Sequence, residues 1–175
     1  MLDRMPHVIL GLLLLWPQSL YELKKGFEAG VSLFYSASTG AIKPALDRLL
    51  ADGRIGVGEV PGARGKKIYA ITDAGREEFR RWMLAELSGA DLETAMLARA
   101  YFLGLLEPGE RSTVVANINE RILAELARLE DLDSMLATME SPVGFEDVRR
   151  YQLATLQYGL ASYRTTQAWV QEYLS

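Results

Sequence analysis

Between Arg111 and Met139, apolar residues recur at Val115, Ile118, Ile122, Leu126, Leu129, Leu132, Leu136 and Met139, at intervals of three and four. That spacing predicts a helix of about 30 residues with a single apolar stripe, roughly 45 Å long at 1.5 Å per residue. One small domain cannot cover a stripe of that length, so the helix needs a partner. The chain offers one in itself. After the breaker Ser141-Pro142-Val143-Gly144, Phe145 to Leu174 predicts a second long helix, with Val148, Tyr151, Leu156, Leu160, Tyr163, Trp169, Val170 and Tyr173 available for burial. Two such helices across a short turn form an antiparallel hairpin, and in a twofold dimer the hairpins of two subunits pack together. The residues expected at that seam are Ile118, Ile122, Leu126, Leu129, Leu156, Leu160, Tyr163 and Trp169.

The N-terminal half is organised around Ser38 to Gly53. Ile42, Leu46, Leu49 and Leu50 share helical spacing and predict a buried stripe, with Thr39, Lys43, Pro44, Asp47 and Arg48 on the flanks and far side. Pro44 removes one intrahelical bond, so the helix is expected to be firm only from about Lys43. Gly53 supplies the left-handed residue that ends it. Upstream, Pro6 suits the first turn of a helix through HVILGLLLLW, apolar nearly all round and therefore buried on most faces, which Trp16 and Pro17 end. Ser19-Leu-Tyr-Glu22 matches a capping box and opens a helix that buries Leu20, Leu23 and Phe27 and closes at Gly30. The two helices before Gly53 thus form a helix-turn-helix. Their connection ends in Tyr35, Ser36 and Ser38, hydroxyls able either to cap the helix or to bond phosphate.

After Gly53, Arg54 to Glu59 and Lys67 to Ile71 predict two strands around the turn Pro61-Gly-Ala-Arg-Gly-Lys66. Arg64, Lys66 and Lys67 then sit on a hairpin tip that can lie along a phosphate backbone. A helix followed by a basic hairpin is what a winged helix presents to DNA. Thr72 caps a further helix, Asp73 to Gly89, with Phe79, Trp82, Met83 and Leu87 inward and Arg76, Arg80 and Arg81 solvated. Asp91 caps another, expected to bury Met96, Leu97, Ala100, Tyr101 and Leu105, and Pro108 marks the start of the next.

Charge follows the same division. Residues 1–67 hold nine Lys and Arg against six Asp and Glu, a net of +3, while residues 68–175 carry −7. A basic surface on an acidic body is a pattern of nucleic-acid binders. With no Cys, disulfides and thiolate metal sites are excluded, which fits a reducing cytoplasm. VILGLLLLW spans only nine residues, too short for a bilayer, and it lacks the basic start and cleavage motif of a signal peptide. His7 is the single His; there is no GxSxG elbow, no phosphate loop and no paired-carboxylate motif, so neither catalysis, metal nor cofactor is expected.

From Val8 to Leu87 the chain resembles the PadR family of bacterial transcriptional regulators. The likeness lies in the order of ILGLL, PQSLYELKKGFE, STGAIKPALDRLLADGRI, ARGKKIYAITDAGREEF and RRW. It implies a winged-helix DNA-binding protein, usually a repressor, that dimerises through C-terminal helices. It also implies that Ser38, Thr39 and Lys43 meet the major groove and that Arg64, Lys66 and Lys67 meet the minor groove or backbone. Two positions depart from the family pattern. Ser19-Leu20 stand where His-Gly is usual, and Lys43 stands where a Tyr is usual before the helix proline, adding a cation at the DNA face. The C-terminal half resembles the subgroup that includes a virulence-gene activator. Some relatives respond to phenolic acids or hydrophobic drugs, and Trp16, Trp82 and Trp169 are the residues expected to form walls for such an effector.

The expected fold is mainly α with a small β-wing: a winged helix-turn-helix DNA-binding domain in residues 1–89 and a long-helix dimerisation hairpin in residues 90–175. The expected function is that of a dimeric, cytoplasmic, sequence-specific regulator on a palindromic operator in double-stranded DNA. Its contacts would come from Ser36, Ser38, Thr39, Lys43, Arg48, Arg64, Lys66 and Lys67. The rival is a dimeric winged-helix protein-interaction module without its own operator, favoured by Asp47 and Asp52, because an acid facing phosphate is unfavourable.

Overall fold

The computed structural model describes residues 4–35, 39–59, 67–89 and 91–174. The chain divides into two compact units, Met1–Val114 and Val115–Ser175.

In the first unit, helix α1 (Met5–Leu15) is central and packs against the three helices at Leu20–Ala29, Ile42–Ala51 and Asp73–Leu84 and the strand Lys67–Ile71. Pro6 occupies its first turn, and Val8, Ile9, Leu10, Leu12 and Leu13 are all buried, as a helix without a polar face requires. Each fully buried side chain of this kind contributes about 1.5–3 kcal/mol. Helix α2 (Leu20–Ala29) opens on the expected capping box. The Ser19 hydroxyl accepts from the Glu22 N–H at 3.3 Å, and Glu22 accepts from the Ser19 N–H at 2.7 Å. Leu23 and Phe27 are its buried residues, and Leu20 is half-buried.

A 3-10 turn, Thr39–Ala41, leads into α3 (Ile42–Ala51). With Pro44 in the first turn of α3, the tighter winding ahead of it fits a helix that becomes regular only near Lys43. Ile42, Ala45, Leu46 and Leu49 are buried and Leu50 is intermediate, so the inward face includes Ala45. Gly53 has φ +67 and ends the helix as expected.

Strands β1 (Ile55–Glu59) and β2 (Lys67–Ile71) pair antiparallel, with Ile55 opposite Ile71 and Glu59 opposite Lys67. Gln18 adds a one-residue third strand. Its N–H donates to the Tyr69 carbonyl at 3.0 Å and its carbonyl accepts from the Tyr69 N–H at 2.8 Å. The buried Gln18 side chain also donates to the Leu12 carbonyl at 2.6 Å, closing the end of α1. Nothing in the spacing of the sequence marks Gln18, because its partner lies some fifty residues away.

Helix α4 (Asp73–Leu84) is capped by Thr72, whose hydroxyl accepts from the Gly75 N–H and donates to the Gly53 carbonyl at 2.8 Å. At Gly75 an added Cβ would strike the Arg54 carbonyl oxygen far inside van der Waals contact. This glycine lets the turn after α3 lie directly on α4. The helix stops at Leu84, short of the expected Gly89, and Leu87 is buried from outside it. Helix α5 (Leu92–Phe102) begins at the Asp91 cap, as expected, but presents a different face. Leu92, Ala95, Met96, Ala98, Arg99 and Phe102 are buried, Leu97 and Ala100 are intermediate and Tyr101 is exposed. The α-helix ends at Phe102, so Leu105 lies in a 3-10 turn.

Helix α6 (Pro108–Ala137) starts at the expected proline and continues into the second unit, where α7 (Glu146–Tyr173) returns antiparallel. Arg149 donates to the Leu136 carbonyl at 2.5 Å, Gln157 to Asp133 at 2.9 Å, and Arg164 to Glu130 at 3.0 Å. Met139 falls beyond the helix and is exposed, as are Val148, Tyr151 and Tyr173 of the expected α7 stripe. No described helix is long and apolar enough to cross a membrane.

Candidate nucleic-acid interface

Burial of Ile42, Ala45, Leu46 and Leu49 turns the opposite side of α3 outward. That face carries Lys43, Pro44, Asp47, Arg48 and Ala51, preceded by Gly40 and Ala41 in the 3-10 turn, all exposed. Small residues at the helix entrance leave its backbone open to close approach, and Lys43 and Asp47 stand one turn apart on one line. Both cations of this face have an acid four residues on. Lys43 is ion-paired and hydrogen-bonded to Asp47. The Arg48 Nε lies 3.9 Å from Asp52, outside hydrogen-bond reach. The hydrogen bond it donates to Asp47 holds the Lys43 ammonium above the ordinary lysine range, so it stays charged at any working pH.

Of the other expected DNA contacts, Lys67 is exposed at the first position of β2. Thr39 opens the 3-10 turn. Ser36, Ser38, Arg64 and Lys66, with the rest of the turn from Pro61, lie outside the described residues. Arg76, Arg80 and Arg81 are exposed, as expected, although Arg80 reaches Glu110 and Arg81 lies 3.5 Å from Glu78.

Sequence spacing gave no sign of the brace behind α3. Glu78 on α4 faces Arg54 at 3.6 Å and His7 Nε2 at 3.4 Å, and Arg54 donates to the Ala74 carbonyl at 3.1 Å. His7, Arg54 and Glu78, with Pro6, Arg48 and Asp52, line a cleft of about 300 Å³ at the C-terminal end of the helix. His7 therefore belongs to the packing of α1 on α4, where its ring stacks on Trp82 at 5.0 Å.

The tryptophans expected around an effector have separate settings. Trp16 is 58% exposed at the end of α1, and Trp82 lies between His7 and the Arg99 guanidinium, the latter 4.8 Å from its ring centre. Trp169 is half-buried and stacks on Tyr173. A cavity of about 290 Å³ lies elsewhere, at the hairpin turn, against Leu136, Met139, Pro142, Phe145, Val148 and Leu153.

The residues expected at a dimer seam are mostly committed already. Ile118, Ile122, Leu126, Leu129, Leu156 and Leu160 are buried in the single chain, while Tyr163 and Trp169 are half-buried. Leu129 lies against Gly159 across the hairpin, where an added Cβ would come within 3.3 Å of it. The middle of the α6 stripe is thus covered within one protomer, while Met139 at its end is exposed along with other apolar side chains, among them Leu123, Met135, Phe145, Val148, Tyr151 and Tyr158.

A helix-turn-helix followed by a two-stranded wing and a long helical hairpin defines the class: a winged-helix protein with an appended helical module. Residues 9–81 match the transcriptional regulator PadR-like family, and residues 94–175 match the virulence activator alpha C-terminal family. The N-terminal part is thus a PadR-like domain, and the C-terminal part is similar to the virulence-activator module. It is 24% identical to the negative transcriptional regulator PadR of Bacillus subtilis, over 97% of this chain and 94% of that protein. It is 34% identical to "Probable transcriptional regulator Rv1176c" of Mycobacterium tuberculosis, over 48% of this chain and 46% of that protein. A crystal structure of Bacillus subtilis PadR in complex with operator DNA is 23% identical, with a TM-score of 0.48 and coverage of 99% of this chain and 98% of that one.

Proposed function

We propose that this regulator is a cytoplasmic homodimer that binds a palindromic operator in double-stranded DNA and represses from it, without catalytic activity. The observation that carries the reading is the outward face of α3, with Lys43 and Arg48 exposed on a helix that leads directly into the wing. Residues 1–89 act as the DNA-reading module and 90–175 as the dimerising one. Lys43, Arg48 and Thr39, with Ser36 and Ser38 before them, meet the groove, while Lys67, Arg64 and Lys66 lie along the backbone. Repression is supported by the name of the Bacillus subtilis relative, a negative regulator matched along nearly its whole length. The proposed release signal is a small aromatic or hydrophobic effector that Trp16, Trp82 or Trp169 would report by fluorescence.

Fluorescence anisotropy tests this, using DNA from upstream of the protein's own coding region against a scrambled duplex across a salt series. Binding to the first alone, with a log-log slope of several phosphates, is expected. Lys43→Ala should weaken specific binding by about 1–3 kcal/mol, and Lys67→Ala should reduce the slope by about one. The rival interaction module draws support from the two acids paired to α3 cations, and it requires that neither substitution alter binding to any DNA. Selection from random duplexes that enriches no sequence would establish that rival.

A further inference from the structure

Asp47 is the feature of the α3 face that phosphate binding leaves unexplained. It is 55% exposed in its side chain, on the same outward line as Lys43, on a surface whose task in the proposed function is to enter a polyanion. Exposed acids can drift away from a nucleic acid. This one is held in place by its hydrogen bond with the Lys43 ammonium, one turn back on a helix anchored by four buried apolar residues. The lysine keeps two N–H donors free and the carboxylate keeps one oxygen free, so the pair presents donors and an acceptor side by side along the helix.

We infer that Lys43 and Asp47 act as one reading unit for a G·C base pair in each half-site, with Lys43 on guanine and Asp47 accepting from the cytosine amine. This rests on the operator-binding function proposed above and names the base pair that such binding selects. The major-groove edge of G·C runs acceptor, acceptor, donor: guanine N7 and O6, then cytosine N4. The lysine donors match the first two and the carboxylate matches the third. At A·T the lysine meets the adenine amine and the carboxylate meets thymine O4. At C·G the lysine meets the cytosine amine and the carboxylate meets guanine O6. Both of those pairs set like against like at two atoms. T·A keeps one acceptor and one donor in the right order but puts a methyl group in place of N7, so it is rejected less strongly. Asp47 is then a specificity residue: it weakens binding to every wrong sequence by repulsion and is satisfied only at the right one.

The test is selection from random duplexes with the full-length wild type, Asp47→Asn and Asp47→Ala, followed by anisotropy on the selected duplex and its single-base-pair variants. All three proteins should melt alike, because the side chain is exposed. Wild type should require G·C at one position per half-site, losing about ten- to a hundredfold at A·T or C·G and less at T·A. Asp47→Asn should move that position toward adenine, which Asn reads at N6 and N7. Asp47→Ala should lose discrimination at that position alone and bind scrambled DNA more tightly. If wild type selects a site and both variants select the same base there, the inference is overturned while the operator function stands. If wild type selects nothing, the operator function itself fails, and this inference fails with it.

Discussion

Arg99 is 5% exposed, and the hydrogen bonds its side chain makes go to carbonyls. It donates to Ala95 at 3.1 Å within its own helix, to Trp82 at 3.1 Å and to Ala85 at 3.5 Å. The last two belong to the end of α4, which stops at Leu84, so they are carbonyls that no further helical turn can satisfy. The C-terminal end of a helix carries partial negative charge, and it offsets a cation that a carboxylate would otherwise have to balance. Burial, with a smaller push from the Arg4 charge, lowers the guanidinium pKa to about 10. A base with a depressed pKa in the folded chain opposes folding at neutral pH, and that opposition fades only as pH rises past about 10. Substitution decides which effect wins. Arg99→Met keeps much of the volume and removes every donor, so it should lower stability in urea unfolding by about 2 kcal/mol if carbonyl capping dominates. An unchanged or raised midpoint would mean that relief from burying the charge outweighs the lost hydrogen bonds.

The elements differ in how plainly the sequence announced them, and the reason is local against distant causation. The capping box at Ser19 and Glu22, the Thr72 and Asp91 caps and the Gly53 stop are satisfied within a few residues, and each appears where its motif stands. The stripes of α3 and α6 were legible because polar residues separate the apolar ones. In α5 nearly every position is apolar or small, so periodicity could not orient the helix, and the inward face took in a charged residue, Arg99, whose partners are on another element. Gln18 and Glu78 carry no local signal for the same reason, since their partners are on other elements. Within the candidate site, Lys43 and Arg48 were legible as cations, but their pairing with Asp47 and Asp52 gained its meaning only from their shared outward face. On α6 an acid takes two cations at once: Glu125 accepts from Arg128 at 2.8 Å and Arg121 at 2.5 Å. Hydrogen bonds from Arg128 and then Arg121 hold its carboxyl below the usual glutamate range. The folded chain therefore binds that proton less tightly than the unfolded one, and the contribution is present above pH about 4.5 and lost as pH falls through the lowered value. Glu125→Gln should cost about 1 kcal/mol in unfolding experiments at pH 7, and the cost should shrink as pH falls below about 4.5. A deficit that did not shrink at all with falling pH would assign the loss to packing.

For the molecule as a whole, the same covering that satisfies the α6 stripe decides where a second subunit can attach. Ile118, Ile122, Leu126 and Leu129 are buried in one chain, so the proposed dimer forms on side chains the protomer leaves outward. The densest run of these is at the hairpin turn and the start of α7, where Met135, Met139, Phe145, Val148 and Tyr151 are each about half exposed or more. A cluster of this kind on a helical surface suits association between copies, which buries apolar area without touching the core. Val148→Glu combined with Tyr151→Glu places two like charges on that run in each protomer. Because both side chains are exposed, thermal stability of the isolated protomer should change by about 0.5 kcal/mol or less per site. Sedimentation should show the variant as a monomer at concentrations where wild type is a dimer. Operator affinity should fall by about a hundredfold or more, since each monomer then grips one half-site without the effective concentration that a joined partner provides. Binding to a single half-site should be unaffected, which separates lost association from a damaged reading head. A variant that stayed dimeric would move the seam to other outward residues, such as Leu123 and Tyr158 along the middle of the hairpin.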